Sequence, residues 1–463
     1  MTGEQSFVAC AFRVRTSMSG LATDLYEIRM AVSYLRNGMT GDATFSLFAR
    51  ALPPDRGFLV SAGLADCVDF LESFCFTGDE LDYLRSALGL SAADLDALGA
   101  LRFTGDVWAV PEGRVVFAGE PLLEVTAPIA QAQLVETALL NRITFQTCVA
   151  TKAARCWLAA PGAELVDFAA RRTHGWDAAM AVARACAIGG FTGTSNVAAA
   201  RRFGLRPVGT MAHSYVQAFP DERSAFAAFA RDFPGAAVFL VDTYDTPSGI
   251  RSAIAVADER GLDSGFGVRL DSGDLGRLAV RARRVLDAAG LTSVRVMASG
   301  GLDEHALAEL TRTGAPVDVY GLGTKVGVSA DAPSLDSVYK LVAYDGRPVM
   351  KLSPGKVTAP GAKQVFRTLD AKLDAEPDLL ALREEPTPPG REALMVPVLR
   401  AGERVDVAEP AARTHRRMVR DLWRLPETAR RLRGPALLDV HRTPALCELT
   451  DRVRQAASAR VRC

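Results

Sequence analysis

His213 is the side chain in this sequence best suited to act as a nucleophile or as an acid–base group near neutral pH. It stands in GTMAHSYV (209–216), together with Thr210, just after a short apolar run. Taken alone, a histidine in this position is as well explained as a buried core residue. Five other polar clusters follow apolar runs in the same way, namely DFAARR (167–172), VDTYDT (241–246), RLDSGD (269–274), ASGGLDE (298–304) and YGLGTKV (320–326).

These clusters divide by the chemistry that their residue types support. Glycine-rich turns that open helices offer backbone N–H groups to a phosphate, and the residues in such turns are Ser299, Gly300, Gly301, Gly321, Gly323 and Thr324. Asp242 and Asp271 suit Mg²⁺ or sugar hydroxyls. Arg171 and Arg269 can grip a planar carboxylate, and Phe168 can stack on an aromatic ring.

Each cluster also has a purely structural explanation. An Arg–Asp pair at a strand end is often a salt bridge, and a Gly-Gly turn is often only a tight connection. Independent structural accidents do not explain why all six clusters follow strands. In a parallel α/β fold the carboxyl ends of the strands meet at one rim, which is where binding sites are built. The sequence therefore predicts a single site for a phosphorylated ligand and an aromatic carboxylate.

The elements that position these clusters are short apolar runs alternating with helices. The runs are 164–168, 207–211, 237–243, 266–271, 294–299 and 317–323, and the helices between them have Pro or Asp at their starts and Gly at their ends. This alternation predicts a parallel sheet, and six successive units favour an irregular β/α barrel over an open sheet.

The rest of the chain predicts a smaller α/β domain. We expect an extension at 1–17, an N-terminal α/β domain at 18–133, the barrel at 134–335, and a C-terminal segment at 336–463 that packs back on the N-terminal domain. A hairpin is predicted at 338–353, with its turn at Asp345-Gly346. The arginine-rich stretch 412–433 has the pattern of a solvated helix.

The bulk composition is that of an ordinary soluble protein. The 463 residues carry 54 basic and 54 acidic side chains, which argues against nucleic acid or a membrane surface as the main partner. The eight cysteines form no CxxC pair, so free thiols in a reducing compartment are expected. We find no transmembrane span and no signal peptide, and expect a cytoplasmic location.

Long segments of the sequence resemble the nicotinate phosphoribosyltransferase family of type II phosphoribosyltransferases. They are TDLYE (23–27), EGRVVFAGEPLLEV (112–125), DFAARRTHG (167–175), GGFTGTSNV (189–197), GTMAHSYV (209–216), LVDTYDT (240–246), VRLDSGDL (268–275), ASGGLDE (298–304), VYGLGT (319–324) and KLSPGKVTAPGAKQVFR (351–367). They run in order from about residue 20 to residue 367, and the tail after about 370 is similar only loosely.

The resemblance implies a reaction and its reactants. Nicotinate and phosphoribosyl pyrophosphate would give nicotinate mononucleotide and pyrophosphate, with ATP as co-substrate and Mg²⁺ (or Mn²⁺) as cofactor. This is the first step of NAD salvage from nicotinate. ATP hydrolysis would be coupled through a phosphohistidine at His213. Arg269 and Asp271 would complete the catalytic set, with Asp242 and Asp271 as metal ligands.

The resemblance also implies where the substrates bind. The residues that would contact nicotinate are Phe168, Arg171, Ser195, Thr210 and Arg269, together with Tyr26 from the partner subunit of a homodimer. Ser195 stands where the related nicotinamide-using enzymes have an aspartate, and the lack of that negative charge favours nicotinate. Ser299, Thr324 and the four glycines of their turns would bind phosphoribosyl pyrophosphate.

Three alternatives stay open from the sequence. The base could be nicotinamide or quinolinate, although quinolinate would need more basic residues around the ring. The barrel could be a non-catalytic scaffold or ligand sensor. A phosphate-binding aldolase or isomerase is a weaker alternative, because it would need a Schiff-base lysine or a strand-end acid in place of this His-Arg-Asp set.

Overall fold

The structure is a computed structural model that describes residues 19–262, 265–353, 358–369, 373, 376–407 and 409–461. The predicted extension at 1–17 and part of the 351–367 motif lie outside the described residues. Mixed α/β architecture, predicted from the sequence, is confirmed, with three larger sheets and helices packed around them.

The helices, in chain order, are α1 (Leu25–Arg36), α2 (Leu64–Ser73), α3 (Gly78–Leu88), α4 (Ala92–Ala100), α5 (Ile129–Leu134), α6 (Glu136–Ala159), α7 (Trp176–Ile188), α8 (Val197–Phe203), α9 (His213–Gln217), α10 (Glu222–Asp232), α11 (Thr246–Arg260), α12 (Leu275–Ala288), α13 (Glu304–Arg312), α14 (Thr324–Gly327), α15 (Ala411–Arg424) and α16 (Pro444–Val461). A short 3₁₀ helix spans Glu427–Arg430.

The strands are β1 (Asp42–Ala49), β2 (Leu59–Val60), β3 (Asp106–Ala109), β4 (Val115–Val116), β5 (Pro121–Pro128), β6 (Glu164–Asp167), β7 (Gly193–Thr194), β8 (Val238–Leu240), β9 (Gly267–Leu270), β10 (Arg295–Ser299), β11 (Val319–Leu322), β12 (Ser337–Tyr344), β13 (Arg347–Pro348), β14 (Lys363–Thr368), β15 (Asp378–Leu382), β16 (Arg391–Ala393), β17 (Val396–Arg400), β18 (Glu403–Arg404) and β19 (Val440–Arg442).

The sheet that will carry the site is parallel and has the order β7-β6-β11-β10-β9-β8. The first long strand, β6, pairs with the last, β11, which is the neighbour relation that barrel closure requires. Its hydrogen-bonded ladder nevertheless ends at β7 and β8 in the described part of the chain, so a closed barrel is not confirmed. The apolar side chains of its strands are buried, including Val166, Val268 and Leu322.

The run at 207–211 is not a strand, and this prediction was wrong. Its contact with the sheet is an isolated bridge between Pro207 and Thr194, with the Val208 N–H donating to the Thr194 carbonyl oxygen at 2.9 Å. Pro207 has no N–H to donate to a ladder, which is one physical reason why pairing does not propagate. The segment therefore reaches His213 as an irregular connection.

Helix termini between the strands follow the predicted punctuation. Asp245 caps α11 by accepting the Ser248 N–H at 3.0 Å, and Gly261 ends that helix in the left-handed conformation. Asp274 caps α12 in the same way.

A seven-stranded sheet joins segments from both ends of the sequence, in the order β13-β12-β1-β5-β3-β17-β18. The predicted hairpin is confirmed as β12 and β13, with Asp345 and Gly346 both at positive φ in its turn. Phe45 of β1 stacks on Tyr339 of β12 with ring centroids 4.7 Å apart. C-terminal strands thus complete a sheet that N-terminal strands begin.

The arginine-rich stretch forms α15, but it is not simply a solvated helix as predicted. Met418 and Leu422, spaced one turn apart, are buried, and so is Asp421. Asp421 accepts from Arg114 Nε at 2.7 Å and lies 3.3 Å from Arg367 Nη1. One face of α15 is therefore buried, and Asp421 on that face pairs with Arg114 and Arg367 inside the protein.

Candidate active site

A cleft with a volume of about 160 Å³ lies at the carboxyl ends of the parallel strands. It is lined by Phe168, Arg171, Arg172, Arg269, Asp271, Ser299, Gly300, Gly301, Leu302, Gly321, Gly323 and Thr324. Four strands, β6, β9, β10 and β11, deliver these residues from their ends. The structure therefore brings together most of the residues that were singled out by their position after a strand.

Arg269 lies at the centre of the cleft's hydrogen-bond network and donates to three other side chains. Its Nε donates to Ser299 Oγ at 2.8 Å, Nη1 to Thr210 Oγ1 at 2.8 Å, and Nη2 to Asp271 Oδ1 at 2.7 Å. Its guanidinium carbon lies 5.4 Å from the centroid of the Phe168 ring. An arginine has five N–H donors, so the two that these bonds leave, one on each Nη, are available to a ligand.

Asp271 connects this network to His213. Burial acts to raise the pKa of Asp271, but the Ser299 hydrogen bond and the Arg269 charge outweigh it and hold the pKa below its ordinary value. The second carboxylate oxygen lies 3.9 Å from His213 Nε2, while His213 Nδ1 lies 3.2 Å from Thr243 Oγ1. The imidazole thus stands between a carboxylate and a hydroxyl at the edge of the cleft.

Asp242 accepts two hydrogen bonds from the loop that carries Asp271. Its Oδ2 accepts from the Asp271 N–H at 3.0 Å and from Ser272 Oγ at 2.6 Å. Its Oδ1 is buried and has no hydrogen-bond partner among the described residues. Asp242 and Asp271 each therefore keep an oxygen that could bind Mg²⁺, although the described residues contain no cluster of three His, Cys, Asp or Glu side chains placed as metal ligands.

Two glycines of the cleft lie so close to neighbouring atoms that a larger residue would not fit. A Cβ on Gly321 would lie 2.8 Å from the Phe168 ring, so glycine makes room for that ring on the neighbouring strand. Gly300 has φ +97°, and a Cβ there would lie 2.1 Å from the Asp271 carbonyl oxygen. The 299–303 turn is therefore packed directly against the loop that carries Asp271.

The adjacent glycines 300 and 301 provide a matched test of this packing. Both have positive φ, but a Cβ on Gly301 would meet nothing within 4 Å. We expect Gly301→Ala to cost about 1 kcal/mol of stability from backbone strain alone. Gly300→Ala should cost about 3 kcal/mol and lower turnover, because the added methyl must displace the Asp271 loop. Thermal unfolding and steady-state kinetics of both variants check this, and equal effects would contradict it.

Few helix N-terminal N–H groups are free to meet the phosphate that the sequence predicts at these turns. The first N–H groups of α13 are already taken, since Asp303 Oδ1 accepts from His305 at 3.1 Å and from Ala306 at 2.9 Å. Helix α14, which follows Gly323, has only four residues. The donors left for a phosphate are accordingly those of the turns themselves, with the Thr324 hydroxyl.

Two predicted contact residues do not line the cleft of this chain. Tyr26 lies on α1, where its side chain is 48% exposed. Ser195 is exposed beside β7 and donates its N–H to the Asp167 carbonyl oxygen at 2.8 Å. Thr210, His213 and Asp242 also lie outside the lining, but they are linked to it through the contacts described above.

Sequence reasoning missed two residues that the structure places at the site, Leu302 and Thr243, and it singled out a third, Arg172, only by its position after a strand. Arg172 lines the cleft beside Arg171, and the described residues contain no carboxylate paired with either side chain. Leu302 supplies an apolar wall, and Thr243 contacts His213. Thr243 sits inside a motif that was already singled out, so position after a strand was the signal that could have found it.

Glu222 is a buried carboxyl near the loop that follows β8. Burial raises its pKa to about 7, and the charges of Asp245 and Asp242 add to that rise. One of its oxygens, Oε1, has no hydrogen-bond partner among the described residues. The folded protein therefore retains this proton up to about pH 7, whereas the unfolded chain releases it near the ordinary value of 4.5.

This difference makes stability fall as pH rises from 4.5 to about 7. Replacing Glu222 by Gln removes the penalty, so the variant should be more stable than the parent by about 2 kcal/mol at pH 8 and nearly equal at pH 4.5. Urea unfolding at both pH values measures it. Glu403→Gln, at an exposed position on β18, is the control and should show no such pH dependence.

Comparison with known proteins matches two successive segments of the chain to one family. Residues 21–144 match the nicotinate phosphoribosyltransferase N-terminal domain, and residues 163–368 match the nicotinate phosphoribosyltransferase family. A nicotinate phosphoribosyltransferase of Mycobacterium tuberculosis is 49% identical over 393 residues, which cover 85% of this chain and 84% of that protein. One of Bacillus subtilis is 47% identical and covers 79% of this chain and 76% of its own length.

The chain belongs to the nicotinate phosphoribosyltransferase family.

The structure agrees with this membership. The crystal structure of human nicotinic acid phosphoribosyltransferase superimposes with a TM-score of 0.82 at 32% identity, covering 93% of this chain and 99% of that one. The chain is thus an enzyme of phosphoribosyl transfer, and its activity fits NAD salvage from nicotinate. No helix in the described residues has the length and apolar character needed to cross a bilayer.

Proposed function

We propose that this cleft joins nicotinate to the ribosyl carbon of phosphoribosyl pyrophosphate, and that ATP drives the reaction through a phosphohistidine at His213. The observation that carries the proposal is the contact chain from Phe168 through Arg269 and Asp271 to His213. It joins an aromatic and cationic pocket to a nucleophile at the edge of the same cleft.

The nicotinate end is formed by Phe168 and the arginines. The pyridine ring stacks on Phe168, with Thr210 held close by its hydrogen bond to Arg269. Because three donors of Arg269 are occupied by the protein, the carboxylate takes its remaining N–H groups and the charges of Arg171 and Arg172. Ser195 puts no negative charge at the position where the nicotinamide-using relatives carry an aspartate.

The phosphoribosyl end is formed by the two glycine turns, with Ser299 and Thr324. Free N–H groups of the turns and the Thr324 hydroxyl hold the phosphates. Mg²⁺ (or Mn²⁺) fits Asp242 and Asp271, since each keeps one carboxylate oxygen and Mg²⁺ usually completes its shell with phosphate and water. When bound, the metal neutralises charge on the leaving pyrophosphate.

His213 is suited to take a phosphoryl group because its ring nitrogens face Asp271 and Thr243 at the edge of the cleft rather than the core. A phosphoryl group on the imidazole adds negative charge and acceptor oxygens beside the pyrophosphate site. This couples ATP to tighter binding of phosphoribosyl pyrophosphate without covalent chemistry on nicotinate.

The enzyme is proposed to be a cytoplasmic homodimer with two domains in each subunit. Tyr26 is exposed on α1 and covers the pyridine ring in the partner's cleft of a homodimer. The N-terminal and C-terminal strands form the smaller domain, and residues 134–335 form the phosphoribosyltransferase domain. The six described cysteines are all free, in keeping with a cytoplasmic location.

The deciding experiment is base-dependent release of pyrophosphate by the purified protein. Nicotinate, nicotinamide and quinolinate are each supplied with phosphoribosyl pyrophosphate and Mg²⁺, with and without ATP. Release with nicotinate that ATP stimulates supports the proposal. Preference for another base, or nicotinate binding without turnover, would contradict it.

Arg171 and Arg172 allow a test of carboxylate recognition. We expect Arg171→Ala and Arg172→Ala each to raise KM for nicotinate about tenfold or more, since a hydrogen bond to a charged group is worth about 1.5–3 kcal/mol. Any turnover of nicotinamide should change little, because it lacks the carboxylate. Arg251→Ala, at an exposed arginine on α11, is the control. Equal losses for nicotinate and nicotinamide would show that the arginines do not recognise the carboxylate.

A further inference from the structure

Five charged residues form one ion-pair network: Arg56, Lys152, Arg155, Glu304 and Asp331, here called the Lys152 cluster. Four of them are buried, and the side chain of Asp331 is 22% exposed. Lys152 Nζ lies 2.6 Å from Glu304 Oε2 and 2.8 Å from Asp331 Oδ1. Arg155 Nε lies 3.2 Å from Glu304 Oε1, and Arg56 Nε lies 3.0 Å from Asp331 Oδ2. None of these residues lines the cleft.

The two carboxylates of the cluster lie in the segments that follow the two glycine turns in the chain. Glu304 is fully buried and is the first residue of α13, directly after the 299–303 turn. Asp331 follows α14, which begins at Thr324 of the second turn. Lys152 of α6 lies within ion-pair distance of both carboxylates, so one ammonium group links the segments that follow the two turns.

The cluster carries an excess of positive charge. Three cations face two carboxylates, and the side chains of Arg56, Lys152 and Arg155 are each no more than 2% exposed. Asp303 of the first turn also feels the charge of Lys152, but its own charge is balanced by Lys325 at 2.7 Å. Burial lowers the pKa of Lys152, but Glu304 and Asp331 outweigh it and the pKa is raised. Arg56 and Lys152 hold the pKa of Asp331 far below its ordinary value despite burial. Lys152 is therefore charged at neutral pH despite its burial.

We propose that the Lys152 cluster is a positioning element for phosphoribosyl pyrophosphate, which holds the two turns at a fixed separation and places a net positive charge beneath the phosphates. The proposal rests on the assignment of the two turns to phosphate binding. Charge in a poorly screened interior acts over a longer distance than surface charge, so the cluster attracts the phosphates without touching them.

A purely structural role predicts a different outcome, and the chain offers a matched control. Lys363 is also a buried lysine, 3.0 Å from Glu124 Oε1, but it lies on β14 away from the cleft. Lys152→Met and Lys363→Met both remove a buried ammonium group and leave a carboxylate behind. Both should lower the thermal stability, and only the first should weaken phosphoribosyl pyrophosphate binding.

The test measures Kd for phosphoribosyl pyrophosphate by calorimetry, and KM for each substrate, in the full-length protein. We expect Lys152→Met to raise Kd and KM for phosphoribosyl pyrophosphate about tenfold while KM for nicotinate changes less than twofold, a size that loss of one shielded charge supports. The Lys363→Met variant should change neither. Similar Kd values for the two methionine variants would overturn the proposal.

Glu304→Gln provides a second variant that does not depend on the folding of Lys152→Met. Lys152 keeps Asp331 as its partner, and the net charge of the cluster rises by one. We expect tighter phosphoribosyl pyrophosphate binding by several fold, and in Lys152→Met/Glu304→Gln a return toward the parent Kd. Unchanged or weaker binding in Glu304→Gln would overturn the role of charge.

Thr324→Ala separates this inference from the assignment on which it rests. Loss of phosphoribosyl pyrophosphate affinity in Thr324→Ala together with an unaffected Lys152→Met would leave the turn assignment standing and refute the positioning role. Unaffected binding in Thr324→Ala would refute the assignment of the second turn itself.

Discussion

His213→Ala should abolish the stimulation of turnover by ATP while leaving the slower, ATP-independent reaction. The imidazole is the proposed acceptor of the phosphoryl group, and alanine has no nucleophile to replace it. Coupling between two ligands is typically worth about 5- to 150-fold, and the whole of that factor should disappear. Steady-state pyrophosphate release with and without ATP measures it directly.

A chemical readout accompanies the kinetics. The parent protein incubated with γ-labelled ATP should acquire an acid-labile, alkali-stable label, and His213→Ala should acquire none. His441→Ala, at an exposed histidine on β19, is the control and should label and turn over normally. Full ATP stimulation in His213→Ala would refute the phosphohistidine, even if the protein still transfers the phosphoribosyl group.

Arg269→Ala should produce the largest loss of catalysis, about a thousandfold in kcat/KM. Removing one preorganised charged donor from a site costs about 100- to 1,000-fold, and Arg269 also orients three side chains. Ser299, Thr210 and Asp271 all lose their shared partner at once. Steady-state kinetics with varied nicotinate and varied phosphoribosyl pyrophosphate measures the loss.

Stability should change with Arg269 as well. Asp271 has a lowered pKa in the folded protein, so its ion pair stabilises the fold above the ordinary value of 3.8 and is lost as pH falls through the lowered value. Arg269→Ala should remove this contribution at pH 7 and leave a half-buried carboxylate without its cation. Unfolding free energies at pH 7 and pH 3 should therefore differ less in the variant.

Two arginine variants separate charge from geometry. Arg269→Lys keeps the charge but cannot reach three partners with a planar fork, so we expect most of the activity to be lost. Arg295→Lys, on the same sheet at the opposite end of β10 and 49% exposed, should be close to the parent. Near-parent activity in Arg269→Lys would show that charge alone suffices.

The amino-acid pattern was enough to predict the alternation of strands and helices and the rim where the site lies. Polar residues such as Asp271 and Ser299 follow apolar runs, and the carboxyl ends of parallel strands converge, so local information determines which residues meet. The family could also be recognised from the segments themselves. The phosphoryl role of His213 stays a prediction.

The pairing of charges could not be predicted in this way. The sequence around Arg269 would be the same whether its guanidinium group were open to a ligand or bonded within the protein. Only the packing of the strands shows that it is bonded to Ser299, Thr210 and Asp271. The failed strand at 207–211 is different, because Pro207 is visible in the sequence and has no N–H for a ladder, and the run forms only an isolated bridge.

By itself, the sequence determined the α/β class, the strand-end location of Phe168 and Asp271, and the family to which the chain belongs. Only the tertiary structure decided that three donors of Arg269 are occupied, that Thr243 contacts His213, and that Lys152 joins the segments after both glycine turns. The physical reason is the separation along the chain over which each interaction acts. Periodicity and turn chemistry act between neighbours in the chain, whereas burial and charge pairing join residues that are distant in sequence, such as Lys152 and Asp331.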